Sequence, residues 1–160
     1  MFDIESKKPD EITINTKKTS ITFNVAQNEV DAGLSVGKIC GPGEFEIGDA
    51  MIRGIGVANF DNRESGEKDY NATIYDVEIG GIHIGIIGDR ELGLDELGMS
   101  DVLCTSSVRA IREIEPKVVV ATGNIDGMVT ELKLTARTEK KYKVKNSESL
   151  PTTLEVVALI

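Results

Sequence analysis

The sequence contains few aromatic residues and very little histidine. Its 160 residues include one histidine and no tryptophan, and aromatic residues make up 4% of the chain. Because hydrophobic residues still make up 40% of the chain, the core must consist mainly of isoleucine, valine and leucine. Such a composition favours a fold rich in β-sheet. The length fits a single domain that spans residues 1–160.

Excess positive charge and long hydrophobic runs are also missing. The formal net charge is −9 and the pI is about 4.7, so the chain repels phosphate groups, and we expect neither nucleic acid nor a membrane as a partner. No stretch approaches the roughly 18 apolar residues of a membrane-spanning helix, and the N-terminal residues lack the apolar core of a signal peptide. We therefore expect a cytoplasmic protein.

Cysteine is scarce too. Cys40 and Cys104 both lie within apolar, strand-like segments and do not form a Cys-x-x-Cys pair. In a cytoplasmic protein such residues are typically reduced, and free cysteine is among the most buried residue types. We predict that both are buried thiols.

Glycine divides the first half of the chain into short apolar segments, which predict antiparallel strands. Alternating residues predict a hairpin of strands 11–15 and 19–24, and glycine and polar residues predict loops at 26–35 and 59–71. Three short strands are expected within 36–57, separated at Gly41-Pro42-Gly43, at Gly48-Asp49 and at Gly54. A second hairpin is expected from strands 72–79 and 82–88 around Gly80-Gly81.

The second half of the chain shows a different pattern, in which strands and helices alternate. The expected elements are a strand at 101–105, a helix from a Ser106 cap to Glu115, a strand at 118–121, a helix within 125–137, and strands near 141–145 and 154–160. Hairpins followed by strand–helix units predict an α/β fold, a layered sandwich with mixed sheets.

Several segments resemble, in order, the central and C-terminal parts of metallo-β-lactamase-fold hydrolases. The segments are Gly41-Pro-Gly-Glu-Phe-Glu-Ile-Gly48, Ile52-Arg-Gly-Ile55, Thr73 to Asp89, Asp101-Val-Leu103, Pro116-Lys-Val-Val-Val120 and Leu150 to Leu159. The resemblance covers residues 36–160. It implies a layered αββα sandwich and, in active members of the family, a metal-dependent hydrolytic site.

The metal ligands of that family are largely absent from this sequence. Active members carry a His-x-His-x-Asp-His motif, but nothing between residues 24 and 41 matches it, which implies that the N-terminal half is shortened by a strand–helix unit. The resemblance places an intermediate histidine of the family at about Asp61 and a late histidine at about Gly123. Asp89 alone keeps the residue type of the family.

The remaining candidates do not make a zinc site. A hydrolytic zinc ion needs three protein ligands and an open position for water, whereas His83 is the sole histidine. His83 and Asp89 share a strand face but lie about 20 Å apart at about 3.3 Å per residue, so His83 is expected to be a hydrogen-bonded or half-exposed strand residue. Asp61 and Asp89 are vestigial candidates for weak binding of a divalent cation such as Mg²⁺; Asp89 is otherwise expected to form a structural turn.

Two other features carry weaker signals. Ser106 and Ser107 lack a Gly-x-Ser-x-Gly elbow and a histidine base, which argues against a serine hydrolase. A local basic stripe is expected to be a solvated face or, alternatively, a docking surface for an acidic protein partner. Its residues are Lys133, Arg137, Lys140, Lys141, Lys143 and Lys145.

Three classes of function follow from these observations. The first is a catalytically inactive metallo-β-lactamase-fold protein that acts as a binding or assembly module, without catalytic residues or cofactor. The second is a metal-dependent hydrolase with a relocated or subunit-completed site around Asp61 and Asp89, and the third is a purely structural oligomer. The shortened N-terminal half leaves surface to be covered, so we expect a homodimer with the N-terminal hairpin or the C-terminal strand at the contact.

Overall fold

The computed structural model describes residues 1–8, 10–33, 36–57, 60–62, 67–69 and 72–160, without the side chains of 60–62 and 67–69. The strands are β1 (Phe2–Lys8), β2 (Glu11–Thr16), β3 (Ser20–Asn24), β4 (Glu29–Asp31), β5 (Lys38–Cys40), β6 (Gly43–Ile47), β7 (Ala50–Val57), β8 (Phe60–Asn62), β9 (Glu67–Asp69), β10 (Ala72–Ile79), β11 (Ile82–Gly88), β12 (Val102–Thr105), β13 (Val118–Ala121), β14 (Ala136–Glu139), β15 (Tyr142–Val144) and β16 (Glu155–Leu159). The helices are α1 (Leu94–Leu97), α2 (Val108–Ile114) and α3 (Ile125–Leu132), and a 3-10 turn covers Ser147–Ser149.

The first sheet is antiparallel and has the strand order β15-β1-β2-β3-β4-β5. Ile12 and Ile14 of β2 pair with Phe23 and Ile21 of β3, and all four side chains are buried. The alternation predicted for this hairpin is therefore confirmed. Strand β1 was not predicted, and β4 lies within the segment predicted to be a loop, where Val30 is buried against Phe23.

The second sheet is mixed and has the order β14-β16-β13-β12-β11-β10-β7-β6. Strands β6, β7, β10 and β11 are antiparallel neighbours, whereas β11, β12, β13, β16 and β14 run parallel. The hairpin of β10 and β11 has the predicted bounds, and both turn residues, Gly80 and Gly81, have positive φ angles of 57° and 80°. Every residue of β12 and β13 is buried, as expected for strands covered on both faces.

Two groups of buried residues hold the sheets and helices together. The larger contains side chains from both sheets, such as Ile14 and Phe23 of the first and Val77 and Ile84 of the second. The other joins the opposite face of the second sheet to the helices, and it includes Leu103 of β12 together with Leu97 of α1, Ile111 of α2 and Met128 of α3. A sheet-on-sheet core and a sheet-on-helix core are therefore present.

The helices differ in detail from the predictions. The cap of α2 is Ser107 rather than Ser106: its Oγ accepts a hydrogen bond from the amide of Ala110 at 3.1 Å. Helix α3 ends at Leu132, earlier than predicted, because Lys133 adopts a left-handed conformation with a φ angle of 57°. The chain then forms the unpredicted strand β14, and α1 was not predicted either.

Three further expectations on the first half were wrong. Gly54 does not interrupt β7; it lies inside the strand, where a Cβ atom would come within 3.3 Å of both Pro42 Cα and Thr73 Cγ2. Within the segment predicted as a loop at 59–71, residues 60–62 and 67–69 form the antiparallel pair β8 and β9, and the rest of that segment lies outside the described residues. Cys40 is exposed in the edge strand β5, while Cys104 is buried as predicted.

The positions of the edge strands limit where another chain can pair. The consecutive strands β14 and β15 form edges of the two different sheets, and so do β5 and β6. Strand β16 is an inner strand, because it pairs with β13 on one side and β14 on the other. Strand β1 is likewise enclosed by β15 and β2. In the described part of the chain, no helix has the length and apolar character to cross a membrane.

Candidate functional site: a cleft at the ends of the parallel strands

A cleft of about 370 Å³ opens where β11, β12 and β13 end. In parallel sheets, the carboxyl ends of the strands are the usual location of ligand sites. One side of the cleft comes from the second sheet and the other from the turn after β3. The lining residues are Asp10, Val25, Ala26, Gly88, Asp89, Arg90, Ser106, Thr122 and Gly123.

The floor of the cleft is held by hydrogen bonds that join the three strand ends. The carbonyl oxygen of Gly88 accepts from Thr105 Oγ1 at 2.7 Å and from the Ser106 amide at 2.9 Å. The carbonyl oxygen of Thr105 accepts from the Thr122 amide at 3.1 Å. Because Thr105 is fully buried, these bonds are shielded from water, and the loops after β11, β12 and β13 keep a fixed spacing.

The wall formed by the first sheet lies very close to this floor. The amide of Val25 donates to the carbonyl oxygen of Asp10 at 3.0 Å, which positions both residues at the cleft. A Cβ atom on Gly88 would lie 2.8 Å from Val25 Cγ1, and the φ angle of Gly88 is 60°. Glycine is therefore required at this position both for its left-handed backbone and for the close approach of the two sheets.

Arg90 lines the cleft, and its side chain is anchored by Asn28. Its Nη2 donates to Asn28 Oδ1 at 2.9 Å, and the same oxygen accepts from the amide of Thr73 at 2.9 Å. Asn28 has a φ angle of 56°, a left-handed conformation that asparagine tolerates better than most residues. One asparagine side chain thus links the turn before β4 to the start of β10 and to the arginine in the cleft.

Two buried polar atoms of this region have no hydrogen-bonding partner among the described residues: Nε of Arg90 and the hydroxyl of Tyr75. Burial lowers the pKa of the Arg90 guanidinium, and the nearby Asp89 opposes that change. Burial raises the pKa of Tyr75 to about 12, while Arg90 acts in the opposite direction. The ring of Tyr75 packs edge-on against Phe23, with centroids 5.2 Å apart.

The structure places two of the three family positions named above in this one cleft. Asp89 and Gly123 both line it, so the positions identified by resemblance do converge. Asp61 lies in β8, and the described part of the chain does not include its side chain. In sequence, β8 and β9 follow β7 and precede β10. The two flanking strands pair with each other up to Val57 and Ala72.

The turn expected at Asp89 is present but is closed by the backbone. The amide of Arg90 donates to the carbonyl oxygen of Ile87 at 3.1 Å. The Asp89 side chain is exposed, and no amide of the described residues donates to its carboxylate. Asp89 is therefore available at the cleft rather than used to hold the turn.

The described side chains at the cleft do not fit a catalytic zinc ion. They include two carboxylates, those of Asp10 and Asp89, and a guanidinium, but no imidazole or thiol. Within the described ranges, no group of three or more histidine, cysteine, aspartate or glutamate side chains is arranged to hold a metal ion. The positive charge of Arg90 beside Asp89 further disfavours a divalent cation.

His83 belongs to a separate cluster on the helix-covered face of the second sheet. Its Nδ1 lies 3.1 Å from Asp76 Oδ1, and Arg53 Nη2 lies 3.6 Å from Asp76 Oδ2. Asp76 is 8% exposed. His83 and Arg53 therefore compensate the cost of burying its carboxylate. The expectation that His83 is a hydrogen-bonded, half-exposed strand residue is confirmed.

The serine residues and the basic stripe have mainly structural contacts. Ser107 Oγ donates to Glu91 Oε1 at 2.7 Å in addition to capping α2. In the basic stripe, Lys141 lies 3.2 Å from Glu5 Oε2, and Arg137 lies 2.7 Å from Glu139 Oε1. All residues of the stripe are exposed, which agrees with a solvated face.

Sequence reasoning named Asp89 and Gly123 but missed the central residue of the cleft. None of Arg90, Asn28 and Asp10 was a candidate. Their side chains come from turns that are distant in sequence, and only the approach of the two sheets brings them together. The one local signal is Asn28 in a polar turn, since asparagine is common where φ is positive.

Comparison with protein-family profiles gives no match, and comparison with curated protein sequences gives none either. The fold is similar to that of a crystal structure from Thermotoga maritima, described as a proposed zinc-dependent hydrolase of the metallo-β-lactamase superfamily. The TM-score is 0.66 and the identity is 16%, and the match covers 99% of this chain and 98% of that chain. The chain therefore has a mixed α/β fold of the metallo-β-lactamase type.

Proposed function

We propose that this chain is a catalytically inactive metallo-β-lactamase-fold module that works by binding or assembly. The observation that carries this proposal is the composition of the cleft. At the strand ends, where Asp89 and Gly123 meet, the described side chains offer an arginine and hydroxyl groups beside two carboxylates. This set of groups suits hydrogen bonding and ion pairing with a ligand, whereas a zinc ion that activates water is held by three protein ligands, usually rich in imidazole.

Several finer features belong to the same proposal. The N-terminal half replaces a missing strand–helix unit of the family with the hairpin strands of the first sheet, within an αββα-type layered domain. The protein works in the cytoplasm as a homodimer, and a protein partner is a further candidate ligand for its basic stripe. Exposed edge strands in both sheets provide surface for such assembly.

The second candidate is a metal-dependent hydrolase with a relocated site around Asp61 and Asp89, completed by another subunit. Two observations favour it. Asp89 is exposed and lines the cleft. Asp61 belongs to β8, the strand that follows the Val57 end of β7 in sequence. Two carboxylates suit hard cations such as Mg²⁺ better than zinc. The adjacent guanidinium of Arg90 weighs against this alternative.

Metal analysis combined with an activity assay decides between the two candidates. We expect protein purified without chelator to contain far less than one equivalent of metal, and its rates with ester, β-lactam and phosphodiester substrates to equal those of buffer. Asp89→Ala should leave those rates unchanged, as should the control Asp95→Ala in α1. Stoichiometric zinc or manganese, with a rate that chelator and Asp89→Ala abolish but Asp95→Ala preserves, would establish the hydrolase instead.

A further inference from the structure

The cleft contains side chains of both charge signs, and among the described residues Arg90 forms no ion pair with Asp10 or Asp89. Asp10 and Asp89 line the cleft and are exposed, and Arg90, which also lines it, is half-buried. The nearest anchoring contact of the guanidinium is to the neutral amide oxygen of Asn28, at 2.9 Å. The cleft thus presents a cationic group and anionic groups, each with bonding capacity left over.

The guanidinium in particular has an unmet hydrogen-bonding requirement. Its Nε–H is buried and has no partner among the described residues. Leaving such a donor unpaired costs about 1–3 kcal/mol, and more when the group is charged. A ligand oxygen that reached this N–H would remove the cost, and the hydroxyl groups of Ser106 and Thr122 line the same cleft as further donors.

The charge of the cleft decides which ligand fits. The cleft is lined by two aspartates and one arginine, and the whole chain carries a net charge of −9, so the negative charge of the protein opposes the approach of a simple anion. A simple cation would meet the positive charge of Arg90. A molecule with one group of each sign satisfies both, because its carboxylate pairs with the guanidinium in a bidentate contact and its ammonium pairs with the carboxylates.

We propose that the cleft binds a small zwitterion of the α-amino-acid type, with its carboxylate at Arg90, Ser106 and Thr122 and its ammonium at Asp10 and Asp89. The volume of about 370 Å³ lies in the range of small-molecule sites, about 300–1,000 Å³, so it holds such a molecule together with its side chain. This inference rests on the proposed function, because a metal ion at Asp89 would occupy the place of the ammonium group.

Titration calorimetry and ligand-observed NMR with free L-amino acids test the proposal. Each common L-amino acid is titrated in turn, and the best binder is compared with its N-acetyl derivative and its α-amide. We expect at least one free amino acid to bind at the cleft. Each blocked form should bind at least about tenfold more weakly, since each lacks one charge, a loss of about 1.4 kcal/mol or more.

Variants of the cleft locate the site. Arg90→Gln should weaken binding of the free amino acid at least about tenfold, and Asp89→Asn and Thr122→Val should weaken it as well. The last two residues are at least partly exposed, so these variants keep the test valid if Arg90→Gln does not fold. Arg112→Gln is the matched control, because Arg112 is exposed on α2 and pairs with Glu131 away from the cleft.

The outcomes separate this inference from the proposed function. If no free amino acid binds, or if blocked forms bind equally well, the zwitterion site is refuted, while a metal-free, inactive protein would still support the binding module. If amino acids bind only to protein that carries stoichiometric metal, both proposals fail. Binding that all the cleft variants leave unchanged would place the ligand elsewhere and refute the site.

Discussion

Asn28 and Arg90 are 62 positions apart in sequence, yet the Oδ1 atom of Asn28 accepts a hydrogen bond from Nη2 of Arg90 at 2.9 Å. The same Oδ1 accepts from the amide of Thr73, a residue that is 1% exposed. A single amide side chain therefore fixes the cleft arginine and satisfies a buried backbone donor. Its removal should affect stability and the shape of the cleft together.

Asn28→Gly should lower the free energy of unfolding by about 1–3 kcal/mol, since it leaves the buried Thr73 amide unpaired. Glycine accommodates the φ angle of 56° at this position, so backbone strain does not contribute. Urea denaturation measures the change. Gln27→Gly, one residue earlier in the same turn and exposed, is the control, and an equal loss in both variants would show that the Asn28 hydrogen bonds contribute little.

A pair of strand glycines tests the packing of α1 against the second sheet. A Cβ atom on Gly85 would lie 2.8 Å from both Leu103 Cδ1 and Ser100 Oγ, whereas on Gly56 it would lie 3.4 Å from its nearest neighbour, Pro42 Cγ. Gly85→Ala should therefore destabilise the fold by about 1–3 kcal/mol through overpacking. Gly56→Ala should change stability by less than about 0.5 kcal/mol. Similar urea midpoints for the two variants would contradict this packing.

The two cysteines should differ in their reactivity with a bulky thiol reagent. Cys40 is exposed and should react in the native protein, whereas Cys104 is fully buried, and burial raises the pKa of its thiol to about 12. Because the thiolate is the reactive form, Cys104 should react only after unfolding. Mass spectrometry of labelled native protein should show one modification, and Cys40→Ser should show none. Labelling of native Cys40→Ser would disprove the burial of Cys104.

Tyr75→Phe should be tolerated at neutral pH, because the hydroxyl that it removes is buried without a partner among the described residues. The pKa of Tyr75 rises from 10.0 to about 12 on folding, so the unfolded chain loses this proton first. The contribution of Tyr75 titration to the free energy of unfolding is therefore fully present below about pH 10, and it declines as the pH rises towards about 12. When the pH is raised from about 8 to about 11, the urea midpoint should fall less for Tyr75→Phe than for the unchanged protein. Equal falls would count against the raised pKa.

Dimerisation, if it extends the second sheet, should use the free edge of β14 rather than β16. The carbonyl oxygen of Glu139 accepts from Ile160 on the β16 side, so the amide of the preceding Thr138 points outwards. Thr138→Pro removes this donor without touching the pairing with β16, and should weaken a dimer that Thr138→Ala preserves. Light scattering across a dilution series measures the mass. A monomeric mass at tens of micromolar would refute the dimer.

The C-terminal strand, one of the two contacts expected for a dimer, lies inside the second sheet. Val156 and Val157 of β16 are buried between β13 and β14, so deletion of residues 154–160 would remove an inner strand and expose the core. The segment 154–160 is mainly apolar. An apolar strand is as consistent with the middle of a sheet as with an interface.

Local signals explain which elements could be predicted from the sequence. The hairpin around Gly80-Gly81 has long apolar strands and a two-residue glycine turn, and its bounds were predicted correctly. Strand β4 has Val30 as its one buried side chain, too little pattern to identify. Cys40 was misassigned because its neighbour Ile39 is apolar, although in an edge strand the side chains of adjacent residues point to opposite faces.

The candidate site was predictable only where the resemblance supplied a position. Asp89 and Gly123 follow β11 and β13, and both line the cleft. Arg90, Asn28 and Asp10 meet through long-range packing of one sheet on the other, which no local spacing encodes. The burial of Arg90 Nε without a partner among the described residues is likewise a property of the folded protein.

The place of β16 in the second sheet also has a consequence for synthesis on the ribosome. Strand β14 leaves the ribosome before β16, yet β16 is the described strand with which it pairs. Until residues 155–159 have emerged, β14 has no neighbour in the sheet and β13 keeps an open edge. The nascent chain therefore presents unpaired strands to chaperones, or to another nascent copy, up to the last step of sheet formation.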